Sequence, residues 1–489
     1  MRSSRSMRAS AACALATALL VATTLPAIGD PHCFQALPVH AHGDSVFGLI
    51  WGDFDPDHPG SECAYLAQDG SIVECRPDGL PWSPTLIYQG DDPILLMDQR
   101  PTLSWGDVQA SHDGSEIVVF AFGQLNVVHR TAAGGWSHVR LFDTAGMVGS
   151  GWGARVGDYH PLYDGVEILM IFEGVLDSSV ATIFAEVAGA WRDTAIYLGE
   201  VGMDSGAGEF NPDHEGPEIV ITTEMGPTYE ITAPDSLERD YWPNRMIWLD
   251  YEHAGWVIEI GDVDPVHPGN EIVFGTRYSN SILVSGQIDL GWHEYEVVFT
   301  GSTTEIPRDM WDIDLGDVLP EVPGQEIVGV DNSGNVYLVW HDGGWQGETI
   351  WTDPDGPLYG VVADEIDPAS PGDEILVVGL SGTITLLTRI TTGIPGGPES
   401  GVAAIRCSPN PFGAATRIVV AVEGSEPCGL TIHDVSGRVV RRLGSVRRGR
   451  REVVWDGRDD AGDRVASGVY WCTLDCDARR ESARIVLVR

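Results

Sequence analysis

Acidic residues alternate in three loops of this sequence, and they are the first candidates for chemistry. The sets are Asp53, Asp55 and Asp57; Glu209, Asn211 and Asp213; and Asp262 and Asp264. Alternation in a loop places several oxygen atoms around one point, which is the ligand set that Ca²⁺ prefers. The pattern predicts calcium in at least one of these loops. The alternative interpretation is that the same side chains cap backbone amides of their own loops.

The sequence contains none of the familiar motifs of nucleophilic or metal-dependent hydrolysis. G-x-S-x-G, H-E-x-x-H, the P-loop and C-x-x-C are all missing. Paired carboxylates for glycoside cleavage stay open, because the chain has too many acids for spacing to single out a pair. The irregular stretch 235–245 adds Arg239 and Arg245 to an arginine-poor region, and we interpret it as an extended loop.

The acidic loops belong to a repeat that must position them. A glycine, an acidic residue and, nine positions after the acid, a glutamate recur along the chain. The glutamates are Glu62, Glu116, Glu167, Glu218, Glu271, Glu326 and Glu374, separated by 54, 51, 51, 53, 55 and 48 residues. A fixed period near 52 residues predicts a repeat architecture. The glutamates themselves are therefore candidates for fixing loop amides rather than for catalysis.

Each repeat contains four short apolar or alternating runs separated by Gly, Pro and Asp, which predicts four antiparallel strands. Seven such repeats predict an all-β fold, a seven-bladed β-propeller over residues 31–390. Recurring aromatic residues favour packing between blades. The seventh repeat lacks a fourth strand, so we expect the segment near residues 34–39 to supply it and close the ring.

Histidines occur in the same loops, five positions past the acid, as His58, His214 and His267, with His112 at the equivalent offset. A transition-metal site requires such residues to converge. Because they belong to separate blades, we interpret them as loop-packing side chains.

The repeat resembles the FG-GAP/VCBS-type repeats of bacterial and integrin-like β-propellers. The match is clearest in the fifth copy, residues 261–273, which reads Gly-Asp-Val-Asp-Pro-Val-His-Pro-Gly-Asn-Glu-Ile-Val. The resemblance implies Ca²⁺ bound by a D-x-D-x-D-G-x-x-D loop. Asp53, Asp55 and Asp57 match the first three acids of that motif, whereas residues 59–62 depart from it.

The C-terminal residues 404–489, after a linker at 391–403, read as a small all-β Ig-like sandwich. Their motifs include Ser408-Pro-Asn-Pro-Phe412, Trp455-Asp-Gly457 and Ser467-Gly-Val-Tyr470. This region resembles the C-terminal sorting domain of type IX secretion and the related FlgD-type Ig-like domain. The resemblance implies secretion machinery as a partner of this domain.

The N-terminus predicts export. Residues 1–29 combine Arg2, Arg5 and Arg8 with an apolar run and small residues before the cleavage point, as in a signal peptide. No other stretch has the length and apolarity of a membrane span, so we expect none in the mature form. Cysteines fit an oxidising compartment. Cys63 and Cys75 flank the Asp69-Gly70 turn and could form a bridge across a hairpin, and Cys407, Cys428, Cys472 and Cys476 could form two more bridges.

Charge is distributed unevenly. Residues 30–400 hold 11 Arg and 61 Asp or Glu, a balance of −50, whereas residues 401–489 hold 15 Arg and 11 acids, a balance of +4. So acidic a surface disfavours nucleic acid as a partner. We therefore expect a secreted or cell-surface protein that presents a propeller face to a protein or glycan. The alternative is a secreted propeller-type polysaccharide lyase or hydrolase acting in the central funnel.

Overall fold

The chain folds as consecutive antiparallel sheets in a computed structural model. Its described residues are 34–489, except 59, 91–100, 113, 122, 145–150, 161–164, 174–178, 198–201, 209, 212–216, 224–225, 233–241, 250–253, 268, 289–291, 302–308, 369, 391–402, 409–415, 423–427, 435–437, 447–448, 467, 477–478 and 488–489. The predicted signal peptide and nearly all of the linker lie outside these residues. The chain divides into two compact units, Met1–Arg389 and Ile390–Arg489.

The first four repeats each form one four-stranded sheet, here called blades 1 to 4, with the strands in chain order. Their strands are β2 (Val46–Gly52), β3 (Glu62–Ala67), β4 (Ser71–Arg76) and β5 (Ser83–Gln89); β6 (Thr102–Gly106), β7 (Glu116–Ala121), β8 (Gln124–Arg130) and β9 (Trp136–Asp143); β10 (Gly151–Gly157), β11 (Glu167–Glu173), β12 (Ser179–Val187) and β13 (Ala190–Tyr197); β14 (Gly202–Gly208), β15 (Glu218–Thr223), β16 (Pro227–Thr232) and β17 (Asn244–Leu249).

Blades 5 to 7 continue the pattern. Their strands are β18 (Gly255–Gly261), β19 (Glu271–Thr276), β20 (Ser281–Ile288) and β21 (Trp292–Thr300); β22 (Met310–Gly316), β23 (Glu326–Asp331), β24 (Asn335–His341) and β25 (Trp345–Thr352); β26 (Leu358–Asp364), β27 (Glu374–Gly379) and β28 (Thr383–Arg389). The fourth strand of blade 7 is β1 (Phe34–Ala41), which pairs antiparallel with β28. The start of the propeller thus completes its last sheet and leaves no open edge between the first and seventh blades.

The first strand of every blade lies at the centre of the ring. Consecutive first strands contact one another from β2 through β6, β10, β14, β18, β22 and β26, and β26 contacts β2 again. This closed circle of parallel-running strands surrounds a central channel, so the fold prediction of a seven-bladed propeller is confirmed. Since all seven strands run the same way, the loops that follow them lie on one face, here called the loop face.

Recurring aromatic residues join one blade to the next. Trp256 packs against Trp311 with ring centroids 6.1 Å apart, Trp311 against Tyr359 at 5.1 Å, and Tyr359 against Phe47 at 5.2 Å. Each of these residues sits where the pairing of the first two strands skips one position, as in a β-bulge. At the bulge, the aromatic side chain contacts that of the neighbouring blade. Such an aromatic pair stabilises the fold by more than the burial of its apolar area alone.

The C-terminal unit consists of two facing sheets. One contains β29 (Ala403–Ser408), β30 (Thr416–Val422) and β33 (Gly449–Trp455); the other contains β31 (Cys428–Asp434), β32 (Val439–Val446), β34 (Gly468–Cys476) and β35 (Arg479–Leu487). Trp455, Leu430, Ile432 and Leu474 are buried between them. The small all-β domain is as predicted. No helix in the described part of the chain has the length and apolarity required to cross a bilayer.

The cysteines differ from the sequence interpretation. Cys63 and Cys75 lie directly opposite each other on β3 and β4, but both are buried thiols, so the interpretation that they form a bridge is wrong. Burial raises the pKa of Cys63 well above its ordinary range and that of Cys75 to about 12, which keeps both unreactive. In the C-terminal unit Cys428 is disulfide-bonded whereas Cys472 is a buried thiol, so the prediction of two bridges among its four cysteines is wrong.

Candidate functional site

The seven repeated glutamates hold the loops of the loop face in place. Each one begins the second strand of its blade and is buried. In blades 2, 3, 4, 5 and 7 its Oε2 atom accepts hydrogen bonds from the backbone amides seven and eight residues earlier, at 2.7–3.2 Å. Glu62 and Glu326 accept from Asp55 and Leu319 at 3.4 and 2.7 Å. The structure thus gives these glutamates the scaffold role, fixing loop amides.

Burial changes the acidity of this set. Loss of solvation raises the pKa of Glu62, Glu167 and Glu271 to about 7, and that of Glu116 and Glu326 to about 8, against a weaker lowering by the amide donors. The pKa of Glu374 is raised for the same reason. The five glutamates whose pKa is raised to about 7 or 8 therefore titrate near neutral pH, although they lie in the scaffold.

An exposed acidic residue precedes each of these buried loops. These residues, here called the acidic crown, follow the last residue of six first strands, and all are solvent-exposed: Asp53, Asp107, Asp158, Asp262, Asp317 and Glu365. The equivalent residue of blade 4, Glu209, lies outside the described residues. The crown surrounds one mouth of the central channel with carboxylates on a rigid support.

In blade 1, arginines surround the predicted calcium ligands. Asp55 is fully buried, and its carboxylate lies 2.9 Å from Nη2 of Arg76 and 2.9 Å from Nε of Arg130. Arg130 also pairs with Asp57, which is exposed like Asp53. A calcium ion would have to displace guanidinium groups from Asp55, and calcium in this loop stays a prediction.

The predicted calcium ligands of blades 4 and 5 form contacts within their own blades. Asn211 donates from Nδ2 to Oε1 of Glu230 at 2.8 Å, whereas Glu209 and Asp213 lie outside the described residues. Asp264 accepts the backbone amide of Val266 at 2.9 Å and lies 2.8 Å from Nδ1 of His267. Asp262 is exposed. Asp264 thus caps its own loop.

The loop histidines do not converge across blades in the described residues. His58 lies 3.1 Å from Asp55 in blade 1, and His267 repeats this contact in blade 5. His112 stacks on His129 within blade 2, with ring centroids 4.1 Å apart. His214 lies outside the described residues. Each histidine belongs to its own blade, as the repeat implied.

A charged cluster at the channel axis was missed by the sequence reasoning. Arg155 of blade 3 reaches across the ring and donates to both oxygens of Asp204 in blade 4, at 3.2 and 3.0 Å, and to Glu259 in blade 5. Only 27% of the Arg155 side chain and 6% of that of Asp204 are exposed. This axial cluster joins three blades through one guanidinium.

Two aspartates of blade 6 extend the axial cluster. Asp312 and Asp314 accept the backbone amides of Val361 and Ala363 in blade 7, at 3.1 and 2.8 Å. Burial, with the nearby Glu259 carboxylate, raises the pKa of Asp314 well above its ordinary range. Burial also raises the pKa of Glu259, against a lowering by the Arg155 guanidinium. The channel thus holds two neighbouring carboxyl groups that bind their protons more tightly than exposed acids do.

An alignment of the repeats contains the signal for this cluster. The residue two positions before the end of each first strand is Ile50, Ser104, Arg155, Gly206, Glu259, Asp314 or Val362. Charged residues occur there only in blades 3, 5 and 6. The irregular stretch singled out from the sequence behaves differently, because Arg245 pairs with Glu230 on the outer half of blade 4, and Arg239 lies outside the described residues.

Three solved structures that this chain resembles share little sequence with it. BBS1N, solved in complex with ARL6DN, is 10% identical with a TM-score of 0.47, covering 73% of this chain and 96% of that chain. The β-propeller domain of Cps50 (Swd1) from Myceliophteria thermophila is 12% identical with a TM-score of 0.46, covering 72% and 99%. PorZ, a surface component of the type-IX secretion system of Porphyromonas gingivalis, is 11% identical with a TM-score of 0.24, covering 88% and 74%.

Sequence comparison identifies only the C-terminal unit. None of the curated proteins matches the chain. Residues 412–476 match the family model of the FlgD Ig-like domain. The chain is thus a seven-bladed propeller followed by a domain that is similar to the FlgD Ig-like family.

Proposed function

We propose that this protein is an exported binding protein whose loop face takes a basic surface of a protein partner, with the C-terminal domain serving secretion or anchoring. The observation that carries the proposal is the acidic crown. Six exposed carboxylates, one from each of six blades, surround one channel mouth. Complementary charge steers association and selects partners of opposite sign.

The rigidity of the loops supports binding. Each crown residue is followed by a loop whose amides are held by a buried glutamate, as in Val108 and Gln109 with Glu116. A surface that is already ordered loses little conformational entropy when a partner docks. The net charge of −43 adds long-range attraction for a basic partner. A neutral glycan gains nothing from this charge, so a basic protein surface is the favoured partner class.

The test is a peptide and glycan array probed with the mature full-length chain, followed by affinity measurement on each hit. Crown residues Asp107, Asp158 and Asp317 are changed together to Asn. The matched control changes three exposed acids outside the crown: Asp193→Asn in β13, Glu296→Gln in β21 and Asp342→Asn directly after β24. We expect basic peptides as hits, with affinity falling at least about tenfold in the crown variant and less than about twofold in the control. Equal losses in both variants, or hits restricted to neutral glycans, would contradict the proposal.

The axial cluster favours a second candidate, a polysaccharide lyase or hydrolase acting in the central funnel. Its observation is the pairing of Glu259 with Arg155 beside an Asp314 whose pKa is raised. Cleavage of glycosidic bonds uses carboxyl groups in separated protonation states. Release of new reducing or unsaturated ends from a polysaccharide panel, lost in Glu259→Gln, would establish this candidate in place of the first.

A further inference from the structure

One corner of blade 1 collects three side chains that metals bind. Asp55, His58 and Glu74 each place one donor atom within 4.8 Å of those of the other two. Asp55 comes from the loop after β2, and Glu74 from the third strand, where it pairs with Ala64. Both carboxyl groups are fully buried, while 41% of the His58 side chain is exposed. The loop and the strand thus bring donors from two places to one point near the surface.

Glu74 has a buried oxygen with nothing to bind. Its Oε1 accepts a hydrogen bond from Nε of Arg76 at 2.6 Å, whereas its Oε2 is buried and has no hydrogen-bond partner among the described residues. A buried carboxylate oxygen without a donor is unfavourable. Coordination of a cation would satisfy it, so this atom points to a ligand that hydrogen bonding alone does not supply.

Carboxylates outnumber guanidinium groups at this corner of blade 1. The carboxylates of Asp55, Asp57 and Glu74 face the guanidinium groups of Arg76 and Arg130. Three negative groups against two positive ones leave one negative charge. A divalent cation is attracted to that excess. It competes directly with Arg76, which binds both Asp55 and Glu74, and with Arg130, which binds Asp55.

We infer that blade 1 carries a site for a divalent transition metal of the zinc class, with Asp55, His58 and Glu74 as its ligands. An imidazole nitrogen with two carboxylate oxygens is a ligand set of zinc and its first-row neighbours, whereas calcium takes oxygen ligands only. His58 also borders an open pocket of about 320 Å³ together with Asp53 and Pro56, which gives the metal access from solvent.

Blade 5 provides the matched comparison inside the same molecule. Asp264 and His267 repeat the pair formed by Asp55 and His58, at 2.8 Å. The third-strand position that holds Glu74 in blade 1 is Val284 in blade 5, opposite Val273. The second carboxylate is therefore missing, and this loop should bind metal weakly or not at all.

Blade 4 shows how the same buried acid is satisfied without metal. Glu230 occupies the position of Glu74, opposite Val220, and Asn211 occupies that of Asp55. The Asn211 amide donates to Glu230 at 2.8 Å. In blade 4 the buried glutamate therefore receives a hydrogen bond from the Asn211 side chain. In blade 1 the equivalent residue, Asp55, has a carboxylate that only accepts, so it cannot donate to Glu74.

The experiment is a calorimetric titration of ZnCl₂ into the chelator-treated full-length protein, compared with His58→Ala, Glu74→Gln and the control His267→Ala. We expect saturable binding at one site. Affinity should fall at least about tenfold in His58→Ala and Glu74→Gln and change less than about twofold in His267→Ala. CaCl₂ in large excess should leave the zinc isotherm unchanged.

Arg76→Gln separates metal ligation from a folding defect. This variant removes the competing cation, so zinc affinity should rise, and the gain should be lost again in the double variant Arg76→Gln, His58→Ala. Because His58 is at the surface, its change to alanine should leave the circular dichroism spectrum unaltered. Absence of saturable zinc binding, or zinc binding that survives His58→Ala in full, would overturn the inference.

Discussion

The loop glutamates are buried and the axial carboxylates are buried or half-buried, and the two sets of acids are stabilised in different ways. The glutamates recur in every blade and accept hydrogen bonds from backbone amides of their own loops, and burial raises the pKa of six of them. The axial carboxylates occur in blades 4 to 6 and meet a guanidinium or the amides of the next blade. Acids that recur in every blade therefore have a structural role. Acids that occur at channel-facing positions of only some blades gather charge at one point of the ring.

The largest expected effect is on the pH dependence of stability, because six loop glutamates act together. Their folded-state pKa values are raised from 4.5, to about 7 or 8 for five of them. A raised carboxyl pKa gives stability that is complete below about pH 4.5 and is lost as the pH rises through the folded value. We expect the melting temperature to be higher at pH 5 than at pH 8 by roughly 5 °C or more.

Scanning calorimetry from pH 5 to pH 8 measures this difference. Glu116→Gln removes one titrating group and should reduce the difference without abolishing it. A melting temperature that rises toward pH 8 would contradict the prediction, because it would mean that ionisation of the loop glutamates does not destabilise the fold.

Next in size is the loss of the axial guanidinium. Arg155→Met leaves Asp204 and Glu259 without their cation, and breaking a buried pair on one side costs about 3 kcal/mol of unfolding free energy. Arg140→Met is the control, because Arg140 and Asp143 form a partly exposed pair within one strand. We expect less than about 1 kcal/mol there. Urea unfolding of both variants gives the comparison, and equal costs would mean that the axial position has no special role in stability.

The smallest of the three effects comes from one loop glutamate. Glu116→Ala leaves the amides of Val108 and Gln109 without their acceptor, at a cost of about 2 kcal/mol. Glu116→Gln keeps a carbonyl acceptor and should cost about half as much. Glu296→Ala, on an exposed position of β21, should stay within about 0.5 kcal/mol. A Glu116→Ala variant as stable as Glu296→Ala would show that the loop amides find water instead.

Much of the architecture was readable in the sequence, because a repeat reports each feature seven times. The spacing of the glutamates predicted one sheet per period, and the missing fourth strand of the last repeat predicted a donor near residues 34–39. The pairing of β1 with β28 places that strand in blade 7. The bridge between Cys63 and Cys75 was predicted wrongly, although the two residues do lie opposite each other on β3 and β4.

The candidate site was less accessible, since its contacts join residues far apart in the sequence. Asp55 was a predicted calcium ligand, but Arg130, 75 positions later, lies against it. Arg155 and Glu259 are separated by 104 positions and meet only because blades 3 and 5 both face the axis. Periodicity identifies which positions face the channel, and it does not identify which of them touch.

The sequence by itself determined the number of blades, their strands, the point of closure and the acidic character of the loop face. Local hydrogen bonding and alternation encode these features, so each repeat specifies them independently. Only the tertiary structure decided which charges meet: Arg155 with Asp204 and Glu259, and Glu74 with Asp55 and His58. The reason is that closure of the ring, rather than any single segment, fixes the distances between blades.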